Sequence, residues 1–117
     1  MEPDDLCTIK DVFKKIYKFE NNLQKTFNLS INEILTLCTL SSKKMSSTGM
    51  AKEIGVSPSR MSRILKKLEE KKLITRALSK KDKRKMIFDL TQNGREKISR
   101  IYKSNIKIPK INTLNSE

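Results

Sequence analysis

The sequence predicts a mainly α fold with a small β wing, as one domain over residues 1–117 in the order α-α-(β)-α-α-β-β-α. Three observations predict it. Apolar residues recur at helical spacing in four successive stretches up to Lys71 and in a fifth after Thr91. Between Leu73 and Leu90 the spacing falls to two, as in paired strands. The charge is also concentrated: residues 57–88 hold 12 basic and 3 acidic side chains, whereas residues 1–56 hold 8 and 7.

The first element is a helix over residues 5–28. Leu6, Ile9, Val12, Phe13, Ile16, Phe19, Leu23 and Phe27 make one face, and Lys10, Lys14, Lys18 and Asn22 the other. That apolar face is wider than a small domain needs, so it either packs internally or reaches a second subunit. The second helix starts at a capping box of Ser30 and Glu33, with Leu29 and Ile34 as a hydrophobic staple. It runs through Leu35, Leu37, Cys38 and Leu40 and reads as the central buried helix, with Cys38 in the core.

A third helix, Ser47–Ile54, starts at Ser46 and buries Met50, Ala51 and Ile54. Gly55 then stands where a helix end favours positive φ. Ser57 caps the fourth helix, and Pro58 suits its first position because no partner is lost there. Met61, Ile64, Leu65 and Leu68 form its buried stripe. Ser59, Arg60, Ser62, Arg63, Lys66 and Lys67 point elsewhere. Two helices joined by a tight Gly-containing turn have helix-turn-helix spacing.

Leu73–Ala77 and Lys85–Leu90 read as strands, with Met86, Phe88 and Leu90 on one face. The connection LSKKDKR between them is mostly basic. A charged hairpin directly after a helix-turn-helix describes a winged helix, and a short piece near Met45 can add a third strand. Thr91 caps a last helix over 91–108, with Pro109 as its stop and residues 110–117 as a loose tail.

Composition narrows the function. Lys and Arg total 26 against 13 acids, a formal net charge of +13. So large an excess points to an anionic partner, either nucleic acid or an acidic membrane surface. No apolar run approaches the roughly 20 residues of a membrane span. There is no apolar leader block near Met1, and two cysteines are too few for a disulfide framework. The expected setting is the reducing cytoplasm, with no membrane partner. Histidine is absent, and there is no G-x-S-x-G and no phosphate-binding Gly loop. An enzyme, a bound cofactor and a metal site therefore have nothing to stand on.

From Leu29 to about Ile101 the chain resembles the MarR family of winged helix-turn-helix transcription regulators. The matching pieces are LSINEILTL, MAKEIGVSPSRMSRILKKLEEKKLITR and SKKDKRKMIFDLTQNGREKI, in the family's order. Asp82-Lys83-Arg84 fits the D-x-R of the family's wing, and LTQNG its strand-to-helix junction. The resemblance implies a homodimeric regulator, commonly a repressor, that binds a pseudo-palindromic promoter site on double-stranded DNA. It implicates Ser57, Ser59, Arg60, Ser62 and Arg63 in the major groove and Arg84 in the minor groove, with Asp82 shaping the wing by pairing with Arg76 or Arg84. Lys66, Lys67, Lys80, Lys81, Lys83 and Lys85 would touch phosphate. Two other functions fit the same residues. One is a winged-helix module that binds protein. The other is an architectural DNA binder indifferent to sequence.

Two departures from the family stand out. Lys72 replaces its usual Gly at the end of the recognition helix. In length the chain resembles the short, Sar-type members, so dimer contacts would fall to the first helix and the 91–108 helix. The family commonly takes a small-molecule effector, but no residue here marks a pocket for one. Some relatives sense peroxide through an N-terminal cysteine, which makes Cys7 a candidate redox sensor. A helix N-terminus lowers a thiol pKa, but a lone cysteine with no electropositive partner is ordinarily inert.

Overall fold

Five helices and one antiparallel ribbon follow each other in the expected order in a computed structural model that describes residues 1–111. The expected loose tail falls, beyond Ile111, outside the described residues. The helices are α1 (Pro3–Phe27), α2 (Ile31–Ser42), α3 (Ser47–Ile54), α4 (Pro58–Glu70) and α5 (Gln92–Tyr102). The strands are β1 (Ile74–Leu78) and β2 (Met86–Leu90). None of these helices is long and apolar enough to cross a membrane.

The chain divides into two compact units. The first holds residues 1–30 and the segment from Asn105 onward. Its α1 starts at Pro3, with the Asp5 carboxylate accepting from the Glu2 backbone N–H at 3.0 Å. It ends at Asn28, whose left-handed backbone (φ 57°) lets its N–H reach the Gln24 carbonyl. Leu23 is buried, but Leu6, Phe13 and Tyr17 are each more than half exposed. Lys15 Nζ donates to the Lys110 carbonyl at 3.1 Å.

The second unit, Ile31–Ser104, contains the helix-turn-helix and the ribbon. Helix α2 buries Glu33, Thr36, Leu37 and Leu40, one stripe at i, i+3, i+4 and i+7. That stripe narrows the expectation of a central buried helix and corrects the placing of Cys38 in the core. Leu35 and Cys38 lie off it, so Leu35 is exposed and Cys38 only half-buried. The buried Thr36 hydroxyl is satisfied by the Asn32 carbonyl at 2.7 Å. Met50 and Ala51 of α3, the stripe of α4, Leu73, Ile74, Phe88, Leu90 and Ile98 complete the core.

The ribbon pairs Ile74 with Leu90, Arg76 with Phe88 and Leu78 with Met86. The anticipated third strand is a single bridge, Met45 to Phe88, held by two backbone hydrogen bonds of 3.2 and 2.8 Å. One further expectation is corrected. Helix α5 ends at Tyr102, not at residue 108. Beyond it, Ser104 and Asn105 compete for backbone hydrogen bonds. Ile106 and Ile108 alternate at period two, and a residue before proline is pushed out of the α region.

The junction between α4 and β1 is tightly specified. Lys72 stands in left-handed conformation (φ 62°) where Gly is usual. The Lys72 N–H reaches the Glu69 carbonyl and the Leu73 N–H the Leu68 carbonyl, which is the Schellman pattern, with Leu68 and Leu73 both buried. The start of α5 clamps this turn. Thr91 Oγ1 donates to the Lys72 carbonyl at 2.7 Å, and the Thr91 N–H to the Leu73 carbonyl at 3.0 Å. Gly94 is required there for space, since a Cβ on it would lie 2.0 Å from the Leu73 oxygen.

Candidate nucleic-acid interface

Helix α4 is made from two signals in its sequence. Ser57 holds extended backbone (ψ 155°), and its Oγ accepts from the Arg60 N–H at 3.2 Å. Pro58 occupies the first turn. Gly55, left-handed at φ 84°, closes α3 and turns the chain into this cap. Met61, Ile64, Leu65 and Leu68 are buried, each worth about 1.5–3 kcal/mol of apolar transfer, and they fix the helix's rotation. Ser57, Ser59, Arg60, Ser62, Arg63, Lys66 and Lys67 are therefore all left in solvent. The Ser57 hydroxyl is partly committed, being 3.3 Å from Ser59 Oγ as well as capping the helix.

The wing is braced from within. Ser79 Oγ accepts from the backbone N–H groups of Lys81 and Asp82 at 3.2 and 3.4 Å. The Asp82 carboxylate accepts from the Arg84 N–H at 3.0 Å and lies 3.5 Å from the Arg84 guanidinium. Arg84 nonetheless keeps 94% of its side chain exposed. Lys80, Lys81, Lys83 and Lys85 surround it, all in solvent. Arg76 does not join this turn. It pairs with Glu69 of α4 at 2.9 Å and lies over the Phe88 ring at 6.0 Å, which ties the ribbon to the recognition helix.

Four acids of this unit are tied into structure. Glu69 serves Arg76, and Asp82 serves Arg84. Asp89 meets Lys44 and Arg95, and buried Glu33 accepts from Lys71 Nζ at 3.0 Å. Among the described residues, no ion pair involves Arg60, Arg63, Lys66, Lys67 or the four wing lysines. Their positive field is thus left for a partner. Sequence reasoning missed the Ser79 brace, the Glu69 strut and the Glu33–Lys71 tie. Ser before a basic run was a readable turn signal. The other two join residues distant in sequence.

Away from this face, burial, then the neighbouring Arg100 and Lys71 cations, hold the Lys97 ammonium below its ordinary value. Tyr102 Oη donates to Cys38 Sγ at 3.1 Å, and this bond, helped by burial, raises the phenol above its usual range. Cys7 is exposed on α1. Among the described residues, no group of acids and cysteines could hold a metal ion.

A capped, basic second helix beside a basic two-stranded wing defines a winged helix-turn-helix protein, with the fold of MarR-type transcriptional regulators. Residues 18–101 match the family model for the transcriptional regulator SarA/Rot, and the chain belongs to that family. Among solved structures, it is similar to the transcriptional regulator BldR from Sulfolobus solfataricus. The two are 28% identical with a TM-score of 0.76, over 88% of this chain and 78% of that one. AbsC, a MarR family transcriptional regulator from Streptomyces coelicolor, shares the fold at 23% identity and a TM-score of 0.76, over 88% and 74%. So does MepR of S. aureus in a DNA complex, at 20% identity and a TM-score of 0.67, over 81% and 79%. Comparison with curated proteins gave no match.

Proposed function

We propose that this regulator binds double-stranded DNA sequence-specifically, as a homodimer on a pseudo-palindromic promoter site, and acts in the cytoplasm as a repressor. The observation that carries the reading is the pairing pattern. Arg63 stands opposite the buried stripe of α4 and Arg60 on its flank, both exposed and unneutralised, and the wing extends Arg84 into solvent. In a major groove, an arginine can donate two hydrogen bonds to guanine O6 and N7, which discriminates against other bases by about 1–3 kcal/mol. Small Ser59 and Ser62 let the backbone approach phosphate. Arg84 suits the enhanced negative potential of a narrow minor groove. The flanking lysines, with Lys66 and Lys67, add affinity without reading bases.

Residues 29–90 form the reading unit in this account, with α1 and α5 as dimer contacts. The exposed Leu6, Phe13 and Tyr17 of α1 offer a second copy an apolar surface. The fold shared with MepR, solved on DNA, supports the same docking.

Selection of bound fragments from genomic DNA tests the proposal. It is expected to return one motif with two-fold symmetry and half-sites spaced by about one helical turn, roughly 34–36 Å. On that motif, Arg60→Ala or Arg63→Ala relaxes base preference, whereas Lys81→Ala weakens all sequences alike and lowers the salt slope by about 1. No enriched motif, with equal losses for all three variants on any duplex, would leave an architectural binder instead.

A further inference from the structure

The wing carries an apolar feature that its charge does not explain. Leu78 and Met86 are cross-strand partners at the outermost pair of the ladder. Strand alternation puts them on the same face as the Ile74–Leu90 and Arg76–Phe88 pairs. Ile74, Leu90 and Phe88 are buried, yet Leu78 is 56% and Met86 38% exposed. The apolar stripe of the ribbon therefore runs past the core into solvent. An exposed apolar pair at a sheet edge is a standing invitation to aggregation, which a Thr or Lys pair would avoid.

We propose that Leu78 and Met86 form a second contact surface for double-stranded DNA, packing against the deoxyribose walls of the minor groove that receives Arg84. This rests on the DNA reading above. Charge complementarity selects the occupant. The pair is followed at once by the loop bearing Lys80, Lys81, Lys83, Arg84 and Lys85, all exposed. Phosphate rows edge the groove where those cations reach, and sugar C–H groups line it between them. Met86 is two residues from Arg84, at most about 7 Å along the chain, so an arginine in the groove brings the pair to its wall. Leu and Met side chains are among those that proteins lay into or wedge beside minor-groove steps. The contact adds affinity that salt does not screen, unlike that of the lysines.

The test is duplex affinity by fluorescence anisotropy across a salt series, on a short duplex with a central A·T run. Wild type is compared with Leu78→Ser/Met86→Ser, with the milder Leu78→Ala/Met86→Ala, and with Lys81→Ala. Both apolar double variants should stay fully folded at the assay temperature with only a modest fall in melting temperature, because Leu78 keeps 56% and Met86 38% of its surface in solvent, and affinities are compared on the folded proteins. The Ser pair should lose about tenfold in affinity at every salt concentration with an unchanged slope, and the Ala pair a smaller, parallel loss. Lys81→Ala should change the slope. Wild-type affinity in both double variants, or a loss that vanishes at high salt, would overturn the inference while leaving DNA binding intact. Salt-insensitive self-association of wild type, abolished in the double variants, would assign the pair to a second copy and overturn it too. Failure of wild type to bind any duplex at low salt would remove the DNA reading itself.

Discussion

Replacing Gly94 by Ala should damage the fold more than any other single-methyl change in the helix-turn-helix unit. The added Cβ would stand 2.0 Å from the Leu73 carbonyl oxygen, a backbone atom that cannot swing aside. Restoring ordinary contact requires the start of α5 to retreat by roughly 1.4 Å. That retreat stretches the Thr91 N–H bond to Leu73 (3.0 Å) and the Thr91 hydroxyl bond to Lys72 (2.7 Å) beyond useful length. Each bond contributes about 0.5–1.5 kcal/mol. Looser packing of the buried Ile98 and Leu90 adds to the loss, for a total of about 2–4 kcal/mol. The assay is urea unfolding of Gly94→Ala beside Gly55→Ala. Gly55 is needed for its φ of 84° and has no atom within 4 Å of an added Cβ, so that variant should cost only about 1 kcal/mol. The midpoint for Gly94→Ala should fall well below that for Gly55→Ala at an unchanged m-value. Equal midpoints, or a Gly94→Ala protein within about 0.5 kcal/mol of wild type, would refute the clamp.

Three further outcomes are expected. Lys72→Gly relieves a left-handed non-glycine and should stabilise by about 1 kcal/mol, partly offset by unfolded-state entropy; a lower melting temperature would contradict the strain. Reversing either Arg76→Glu or Glu69→Arg should weaken the tie between ribbon and recognition helix, and the double reversal should recover part of it. The pair is largely solvent-screened, so the double-mutant cycle should give a coupling of about 0.5 kcal/mol, and zero coupling would remove the strut. Lys97→Met should raise the melting temperature at neutral pH. A lysine depressed in the fold opposes its own proton, so its charge costs stability in full below the folded pKa, and the cost fades as pH rises from there to the higher unfolded value; solvent screening keeps the effect small. A fall in melting temperature would contradict that sign.

Most of this architecture was legible because short-range chemistry dictates it. Ser46, Ser57 and Thr91 each cap a helix by accepting from a backbone N–H three residues on. Gly55 ends α3, and the period-two stretch forms the ribbon. The errors lie where two signals competed. The residues after Tyr102 contain isoleucines that extend a helical pattern on paper, but Pro109 and the alternation of Ile106 and Ile108 win. Helix α2 is apolar on more sides than it buries, so hydrophobicity alone put Cys38 in the core, whereas packing leaves it half-buried beside Tyr102. The ties from Glu69 to Arg76, Glu33 to Lys71 and Thr91 to Lys72 join residues up to 38 apart and leave no periodic trace. The exposed face of α4 needed only the spacing of its buried stripe.

The central claim is that the cations of α4 and the wing are kept free for the phosphates and bases of a duplex. The salt dependence of duplex affinity tests it most directly. With about 6–10 phosphate contacts, affinity should fall by roughly 10³–10⁵ between 50 and 200 mM salt. A protein that binds no duplex at 50 mM salt, or binds one with an affinity indifferent to salt, would contradict it.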